Sequence, residues 1–306
     1  MASEHQLLQY TAEYRMPRDP VGARLAGEPR PGLVGLIALT LLALRCHFWR
    51  TVQLFLVAAL IFLIPSVVVR LAERWLAQAG LKWASFLPQI AYWPVVVPVM
   101  AGLSHAILLL VQRCRPPWYE VVRPMLSLRL YGNVLMAGLP AIAVYWATSS
   151  GLIVAGVSPW LRELFGEGLG GKWAGQLPGV VLPTLVALPF VFAGLDAVAT
   201  WSPFGRALRR NLRFAAHNPW LLLGFGLVQA AIGSGSALTQ AVIARHKDWL
   251  PEGWLWGGVP ILGGLAAMLA IGALQAIIHP VFYREFVWRE REAGGWARLD
   301  SPAEKA

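Results

Sequence analysis

The chain has 306 residues, of which 57% are hydrophobic and 14% are charged, and its mean hydropathy is +0.55. This composition excludes a soluble globular domain and is typical of a polytopic membrane protein. The formal net charge of +10 would suit a nucleic-acid-binding protein. However, the arginines lie mainly at the ends of apolar segments, as the positive-inside rule predicts, and we therefore expect no nucleic-acid partner.

The N-terminal residues 1–32 form a predicted cytoplasmic tail. Residues 1–30 carry four arginines and four acidic residues, and they contain no apolar core of the length that a signal peptide needs. We therefore expect that this tail is not a cleavable signal.

The first apolar block, residues 33–69, is too long for a single membrane span. Its first part, residues 33–44, falls short of the ~20 residues that cross a bilayer core. We predict that this part is an interfacial helix that does not cross the membrane, and that residues 51–69 form the first span. The boundary between the two parts is marked by the basic residues Arg45, His47 and Arg50.

Five further apolar segments are each long enough to cross a bilayer. Of the 26 lysines and arginines, 19 lie on one side of the predicted spans and 7 on the other, which by the positive-inside rule places both termini in the cytoplasm. The sequence therefore predicts an all-α polytopic protein, with a six-helix membrane domain at residues 33–283 and a cytoplasmic tail at residues 284–306. The five further spans are residues 90–111, 132–156, 178–200, 219–244 and 257–283.

An internal repeat is indicated by three Leu-Arg pairs that are spaced 84 residues apart, each leading into a long apolar run. Equal spacing of units with the same hydropathy shape is what a repeat predicts, although chance pairing in an arginine-rich chain is the alternative. We predict three units, each an amphipathic surface helix followed by a transmembrane hairpin, at about residues 33–111, 118–200 and 202–283. The pairs are Leu44-Arg45, Leu128-Arg129 and Leu212-Arg213.

One short helix is predicted between Ser202-Pro203, a helix start, and Asn218-Pro219, a stop. At 100° per residue its basic and apolar side chains separate onto two faces, which is typical of a helix that lies on a membrane surface. We expect the basic face to bind anionic lipid or the acidic surface of a protein partner. The basic face contains Arg206, Arg209, Arg210, Arg213 and His217, and the apolar face contains Phe204, Leu208, Leu212 and Ala215.

Asp196 is the one carboxylate inside a predicted span, about one turn from its cytoplasmic end. A carboxylate at that depth is unfavourable unless it is paired. We predict an ion pair with an arginine of the following surface helix, which would fix that helix against the fourth span. A role in moving a proton or a substrate, and an exposed carboxylate, are the alternatives. The candidate partners are Arg206, Arg209 and Arg210.

Four more polar residues within or beside the spans are expected to have structural roles. His105 lies in the middle of its span, where a neutral histidine hydrogen-bonded across helices is the ordinary case. A haem or metal role would need a second ligand at matching depth, and we expect no cofactor and no metal. Asn211 is predicted to bond a neighbouring backbone, and Gln229 and Gln240 to belong to a close-packed interior helix.

The fourth span and the surface helix together carry a resemblance to a known group. The proline-rich span ends in Asp196, the helix contains Ala207-Leu208-Arg209-Arg210, and Asn218-Pro219-Trp220 opens the next span. This combination resembles bacterial six-helix membrane proteins that include the membrane domain preceding glycerophosphodiester phosphodiesterase catalytic domains and the related YciC-like and DUF975-like proteins. The resemblance implies a six-helix fold in the bacterial inner membrane; it does not imply phosphodiesterase activity, because we recognise no catalytic domain.

The sequence contains no recognised catalytic motif: there is no phosphate-binding loop, no HExxH, no CxxC and no nucleophile elbow. Our leading hypothesis is a non-enzymatic inner-membrane protein that scaffolds another membrane protein or complex, or organises lipid. The alternative is a small-solute or lipid transporter, since many spans contain proline, and a membrane lipid enzyme is third. The sequence identifies neither the partner nor the substrate.

Overall fold

A computed structural model describes residues 33–81, 87–112, 115–149, 152–166, 174, 178, 181–246 and 254–288. This part of the chain is helical, with no strand, which confirms the predicted all-α class. The predicted tail 1–32 and residues 289–306 of the predicted tail 284–306 lie outside the described residues. The first three helices are α1 (Leu33–Gln78), α2 (Leu87–Val111) and α3 (Leu128–Ser149), and these are followed by α4 (Leu152–Phe165), α5 (Ala193–Thr200), α6 (Phe204–His217), α7 (Pro219–His246) and α8 (Trp254–Phe282).

Shorter turns connect these helices. Between α2 and α3 the chain makes two 3-10 turns, Trp118–Val121 and Arg123–Met125. Residues 181–187 are helical and lead through the 3-10 turn Leu188–Phe190 into α5. A π-helical turn, Tyr283–Trp288, continues α8.

Four stretches of the described residues are long and apolar enough to cross a membrane, and the chain is therefore a membrane protein with several candidate spans. Two more of the predicted spans coincide with apolar stretches that are shorter, Leu128–Val144 and Pro219–Gly235. The count of six spans is thus not confirmed. The four long stretches are Leu33–Gln78, Ala91–Val111, Val181–Thr200 and Ala266–Glu285.

Helix α1 bends at His47, whose backbone (φ −124°, ψ 15°) leaves the helical region. A straight helix of its 46 residues would be about 69 Å long, more than twice the ~30 Å core of a bilayer. The bend falls between the predicted interfacial segment 33–44 and the predicted first span 51–69. It therefore divides α1 into two helices at the boundary that the basic residues indicate.

The core lies between α1, α2, α7, α8 and the segment that leads into α5, and both parts of α1 contribute to it, with Leu36 before the bend and Leu54 after it. Phe192 stands at its centre and is 1% exposed. The ring of Phe192 is stacked on Phe282 with centroids 5.2 Å apart, and it lies 5.4 Å from Phe225. Stacked and tilted aromatic pairs of this kind add to the apolar area that they bury. The aromatic cluster joins the residue before α5 to α7 and α8, and Phe214, near the end of α6, also packs against it.

The predicted repeat is not confirmed. Arg45 precedes the bend of α1, and Arg213 lies within the short helix α6. Arg129, by contrast, lies in the first turn of the long helix α3. The segment before α3 forms two 3-10 turns where the repeat predicts a surface helix.

The segments predicted to share one side of the membrane meet at one end of the bundle. Arg50 Nη2 donates to the carbonyl of Pro116 over 2.8 Å. Arg284 Nη1 donates to the carbonyl of Val111 over 3.2 Å, and the Arg123 guanidinium lies 5.2 Å from the centre of the Trp201 ring. We call this end, which comprises residues 45–50, 111–112, 115–133, 200–220 and 283–285, the basic end.

Candidate functional site

Helix α6 presents three faces to its surroundings. Its buried face packs on the bundle and contains an arginine and an asparagine as well as apolar groups. A basic face and an apolar face lie on either side, each about a quarter turn away at ~100° per residue. The buried face is Ala207, Arg210, Asn211 and Phe214; the basic face is Arg206, Arg209, Arg213 and His217; the apolar face is Phe204, Leu208, Leu212 and Ala215.

The apolar face is partly covered: Leu208 and Ala215 pack against the bundle, whereas its other two side chains remain exposed. Phe204 and Leu212 are each 41% exposed. Because the buried face separates it from the basic face, the helix can dock on the bundle while its apolar side meets acyl chains and its basic side meets headgroups. This is the arrangement of an amphipathic helix lying in the plane of a membrane interface.

The position of Arg210 corrects the prediction from the sequence. The sequence predicts Arg210 on the basic face and also as a candidate partner of Asp196, and the structure shows it only 7% exposed. On the helical wheel Arg210 lies at the border between the basic face and the buried face. The observed orientation of α6 places this border against the bundle. Arg210 is therefore a buried partner of Asp196 and is not available to lipid.

Asp196 and Arg210 form the predicted ion pair, with 3.5 Å between Asp196 Oδ2 and Arg210 Nη1. The other carboxylate oxygen, Oδ1, accepts a hydrogen bond of 2.6 Å from the hydroxyl of Tyr283. Asp196, Arg210 and Tyr283 are all buried. The carboxylate of Asp196, which lies in α5, thus contacts both α6 and the turn after α8 and holds the three elements together.

Two hydroxyl groups complete the surroundings of Arg210. Its Nη1 lies 3.2 Å from Ser202 Oγ and 3.5 Å from Thr200 Oγ1, and the two hydroxyls are 2.6 Å apart. Both belong to the link between α5 and α6, where Trp201 adopts a left-handed backbone (φ 51°). This conformation ends α5 and turns the chain into α6.

The structure places Asn211 as predicted, with its amide Nδ2 donating to the carbonyl of Pro189. This contact holds α6 on the 3-10 turn Leu188–Phe190, where a proline ring at position 189 leaves backbone groups outside a regular helix. Gln240 lies in α7, and its side chain lies outside the described residues.

A second polar cluster joins the 118–125 turns to α2. His105 Nδ1 lies 3.4 Å from Glu120 Oε2, and Arg123 Nη1 lies 3.0 Å from the same oxygen. Burial acts to raise the pKa of Glu120, but the neighbouring His105 side chain and the charge of Arg123 outweigh it and hold the pKa below its ordinary value. His105 therefore lies beside a carboxylate of another element, and the hydrogen bond across helices that the sequence predicts stays a prediction.

Glu120 and Tyr283 are the site residues that sequence reasoning missed. Glu120 stands in a predicted surface segment and Tyr283 at the end of a predicted span, where an acid and an aromatic residue are common. No local pattern pairs either residue with an acid or base that is far away in sequence. Their roles appear only when the helices are packed together.

A central cavity of about 450 Å³ lies between α1, α2, α3, α5, α7 and α8. Most of its wall is aliphatic or aromatic. Four polar side chains also line it: Ser104, Gln229, Gln275 and His279. Gln229 was predicted to be a close-packed interior residue; it is buried, and it also faces this cavity.

In the described part of the chain there is no group of three or more His, Cys, Asp or Glu side chains that could hold a metal ion. The comparisons with known proteins add no family: no protein-family model, curated protein or solved structure matches this chain.

Proposed function

We propose that this chain is a non-enzymatic protein of the bacterial inner membrane that holds anionic lipid, or the acidic surface of a membrane-protein partner, against its basic end through α6. The observation that carries the proposal is the division of α6 into three faces. A helix that only fixed orientation would need basic residues, but it would need neither an exposed apolar face nor a buried ion pair that sets its rotation. The cytoplasmic leaflet, which is rich in anionic lipid, is the surface that such a helix fits.

The proposed topology has six spans, with the basic end in the cytoplasm. Residues 51–69 would be about 28 Å long at ~1.5 Å per residue, close to the ~30 Å core. Exposed tryptophans at the basic end support an interfacial belt there. They are Trp49, Trp118 and Trp220.

Residues 33–44 are proposed to lie in the same interface as α6. A Cβ on Gly224 would lie 3.2 Å from Leu33 Cδ2, so Leu33 packs beside the second turn of α7. At the other end of the segment, Arg50 bonds to Pro116. Both ends thus approach the basic end, which supports a segment that runs along the membrane surface and does not cross it.

The lipid contact is tested by changing Arg206, Arg209 and Arg213 together to Gln. Each arginine near an anionic leaflet contributes ~1 kcal/mol, so we expect retention of phosphatidylglycerol to fall on the order of a hundredfold at low salt. Native mass spectrometry of the protein released from nanodiscs measures the retained lipid. Arg210 is left intact, because its loss would disturb folding.

The matched control changes three exposed arginines away from the basic end, Arg70, Arg74 and Arg162, to Gln. This control removes the same charge, and we expect little change in retained phosphatidylglycerol. Equal retention by both triple variants and the unchanged protein, at low and at high salt, would show that the α6 arginines act in orientation alone. A stoichiometric protein partner lost only from the α6 variant would favour the scaffold form of the proposal.

A further inference from the structure

The central cavity contains polar groups that the rest of the protein leaves unsatisfied. Gln229 is 8% exposed, and its Nε2 atom is buried with no hydrogen-bond partner among the described residues. Ser104, Gln275 and His279 line the same space, and within the described chain no hydrogen bond is found for their side chains either. An unpaired donor in a membrane interior is unfavourable by several kcal/mol. Gln229 Nε2 is such a donor, and the half-buried side chains of Ser104, Gln275 and His279 line the same cavity, which indicates that a bound molecule supplies the partner of Gln229.

These polar groups lie in the half of the cavity nearest the basic end. Counting ~1.5 Å per residue along each helix, Ser104 is about 10 Å from the end of α2, and His279 is about 6 Å from Tyr283. Gln229 is about 15 Å from the start of α7. The opposite part of the wall is apolar and includes Trp93, Val96, Val97 and Ile142.

The described wall contains no lysine, arginine, aspartate or glutamate. A charged ligand group would therefore be desolvated without a counter-charge, which is strongly unfavourable. The unpaired Nε2 donor of Gln229 can instead be satisfied by an uncharged oxygen that accepts its hydrogen bond. Met100 lines the cavity and is 43% exposed, so the cavity reaches the apolar surface of α2 and is accessible from the bilayer.

We propose that the central cavity binds an uncharged amphipathic molecule of the lipid phase. Its carbonyl or ester oxygen accepts a hydrogen bond from Gln229 Nε2, beside Ser104 and Gln275. Its apolar tail lies along the wall formed by Trp93, Val96 and Ile142. A volume of about 450 Å³ falls within the range of pockets that enclose small ligands. This site does not depend on the lipid contact proposed for α6.

The test uses three photoreactive probes that carry a diazirine on the same long chain: the methyl ester, the free fatty acid and the alkane. The purified full-length protein in detergent is irradiated with each probe, and the labelled peptides are identified by mass spectrometry. We expect the ester to label peptides of α2, α3 and α8 that line the cavity, and unlabelled methyl ester to compete. The alkane and the acid should label these peptides several-fold less.

Two variants tie the labelling to the cavity. Gln229→Leu keeps the side-chain size and removes the donor, and it should lower ester labelling about fivefold while leaving alkane labelling unchanged. Ala141→Phe fills the cavity and should abolish specific labelling. Leu139→Phe, on the exposed side of the same helix, is the matched control and should label like the unchanged protein.

Three results would overturn the proposal. One is equal labelling of the cavity peptides by ester and alkane, which would mean that the polar groups select nothing and are satisfied by water. Another is ester labelling that Gln229→Leu leaves unchanged. The third is labelling that survives in a folded Ala141→Phe protein; if that variant does not fold, as judged by gel filtration, the comparison of the unchanged protein with Gln229→Leu decides alone.

Discussion

Asp196 shows how one side chain fixes the position of several elements. Its two oxygens are used by different parts of the chain, Oδ2 by Arg210 and Oδ1 by Tyr283. Because the group is buried, neither partner is readily replaced by water. The carboxylate therefore acts as the point at which α5, α6 and the end of α8 are held together.

Replacing Asp196 with Asn should destabilise the protein by about 3–5 kcal/mol, because Arg210 would stay buried without this counter-charge. Thermal unfolding in a mild detergent measures the effect, and limited proteolysis should show earlier cleavage within α6. Arg209→Gln, an exposed change on the same helix, should shift stability by no more than about 0.5 kcal/mol. Equal melting temperatures for the two variants would contradict the structural role of the pair.

Tyr283→Phe removes only the hydroxyl that donates to Asp196, and it should lower the free energy of unfolding by about 1.5–3 kcal/mol. The change should have a smaller effect in the Asp196→Asn background, because the hydrogen bond to a charged acceptor is already lost. A double-mutant cycle of unfolding free energies measures the coupling. Additive effects would mean that the two side chains do not interact in the folded protein.

Glu120 should make the free energy of unfolding depend on pH in the acidic range. Its pKa in the folded protein is lower than its ordinary value of 4.5, so the unfolded chain binds a proton first as the pH falls. The stabilisation from Glu120 is therefore fully present above about pH 4.5 and is lost below it, as the pH falls through the folded pKa. Melting temperatures recorded between pH 6 and pH 3 should fall less steeply for Glu120→Gln. The control Glu163→Gln, at an exposed position, should follow the unchanged protein.

At the scale of elements, a glycine in α2 allows the 118–125 turns to pack closely against that helix. A Cβ on Gly102 would collide with the backbone carbonyl of Val121. Backbone at this distance has no flexible end that can move aside. The close approach also brings Glu120 within reach of His105, three residues further along α2.

Gly102→Ala should therefore displace the turns and weaken the Glu120–His105 contact, with a loss of stability of about 1–3 kcal/mol. Gly132→Ala is the matched control, because nothing lies within 4 Å of its added Cβ. In the interior of α3 that substitution should be neutral or stabilising by about 0.5–1 kcal/mol. Unfolding measurements that ranked the two variants equally would mean that the turns tolerate the methyl group.

How far the elements could be predicted depends on whether their signals are local. The limits of α6 follow from Ser202-Pro203 and Asn218-Pro219, and the bend of α1 follows from the basic residues near His47, since both signals lie in the adjoining sequence. The rotation of α6 could not be predicted in the same way. It is set by Asp196, Pro189 and the aromatic core, so Arg210 turned inward although its position on the helical wheel favoured the basic face. The central cavity is also non-local, because six separate helices contribute to its wall.

At the scale of the whole molecule, the proposed topology predicts which positions share a side of the membrane. In a Cys114→Ser background, the exposed Cys46 and a cysteine at position 204 should react with an impermeant maleimide from the same side. A cysteine at position 79, beyond the far end of α1, should react only from the opposite side. Labelling in sealed inverted vesicles and in right-side-out vesicles shows from which side of the membrane each cysteine reacts.

A cysteine at position 32 decides whether residues 33–44 cross the membrane. The proposed interfacial segment requires positions 32 and 46 to react from the same side. If they react from opposite sides, this segment is an additional span and the in-plane assignment is wrong.

The pairing of Asp196 also has a consequence for the order in which the protein is made. Its carboxylate leaves the ribosome 14 residues before Arg210 and 87 residues before Tyr283. At about 5–20 residues per second, the hydroxyl arrives roughly 4–17 s after the acid. During that interval the acid of the nascent chain has its described counter-charge, Arg210, on α6. A chain arrested on the ribosome with residue 205 just outside the exit tunnel should therefore be held less firmly in the membrane than one with α6 fully emerged. The contact of Asp196 with Tyr283 should form only after the last span has been made.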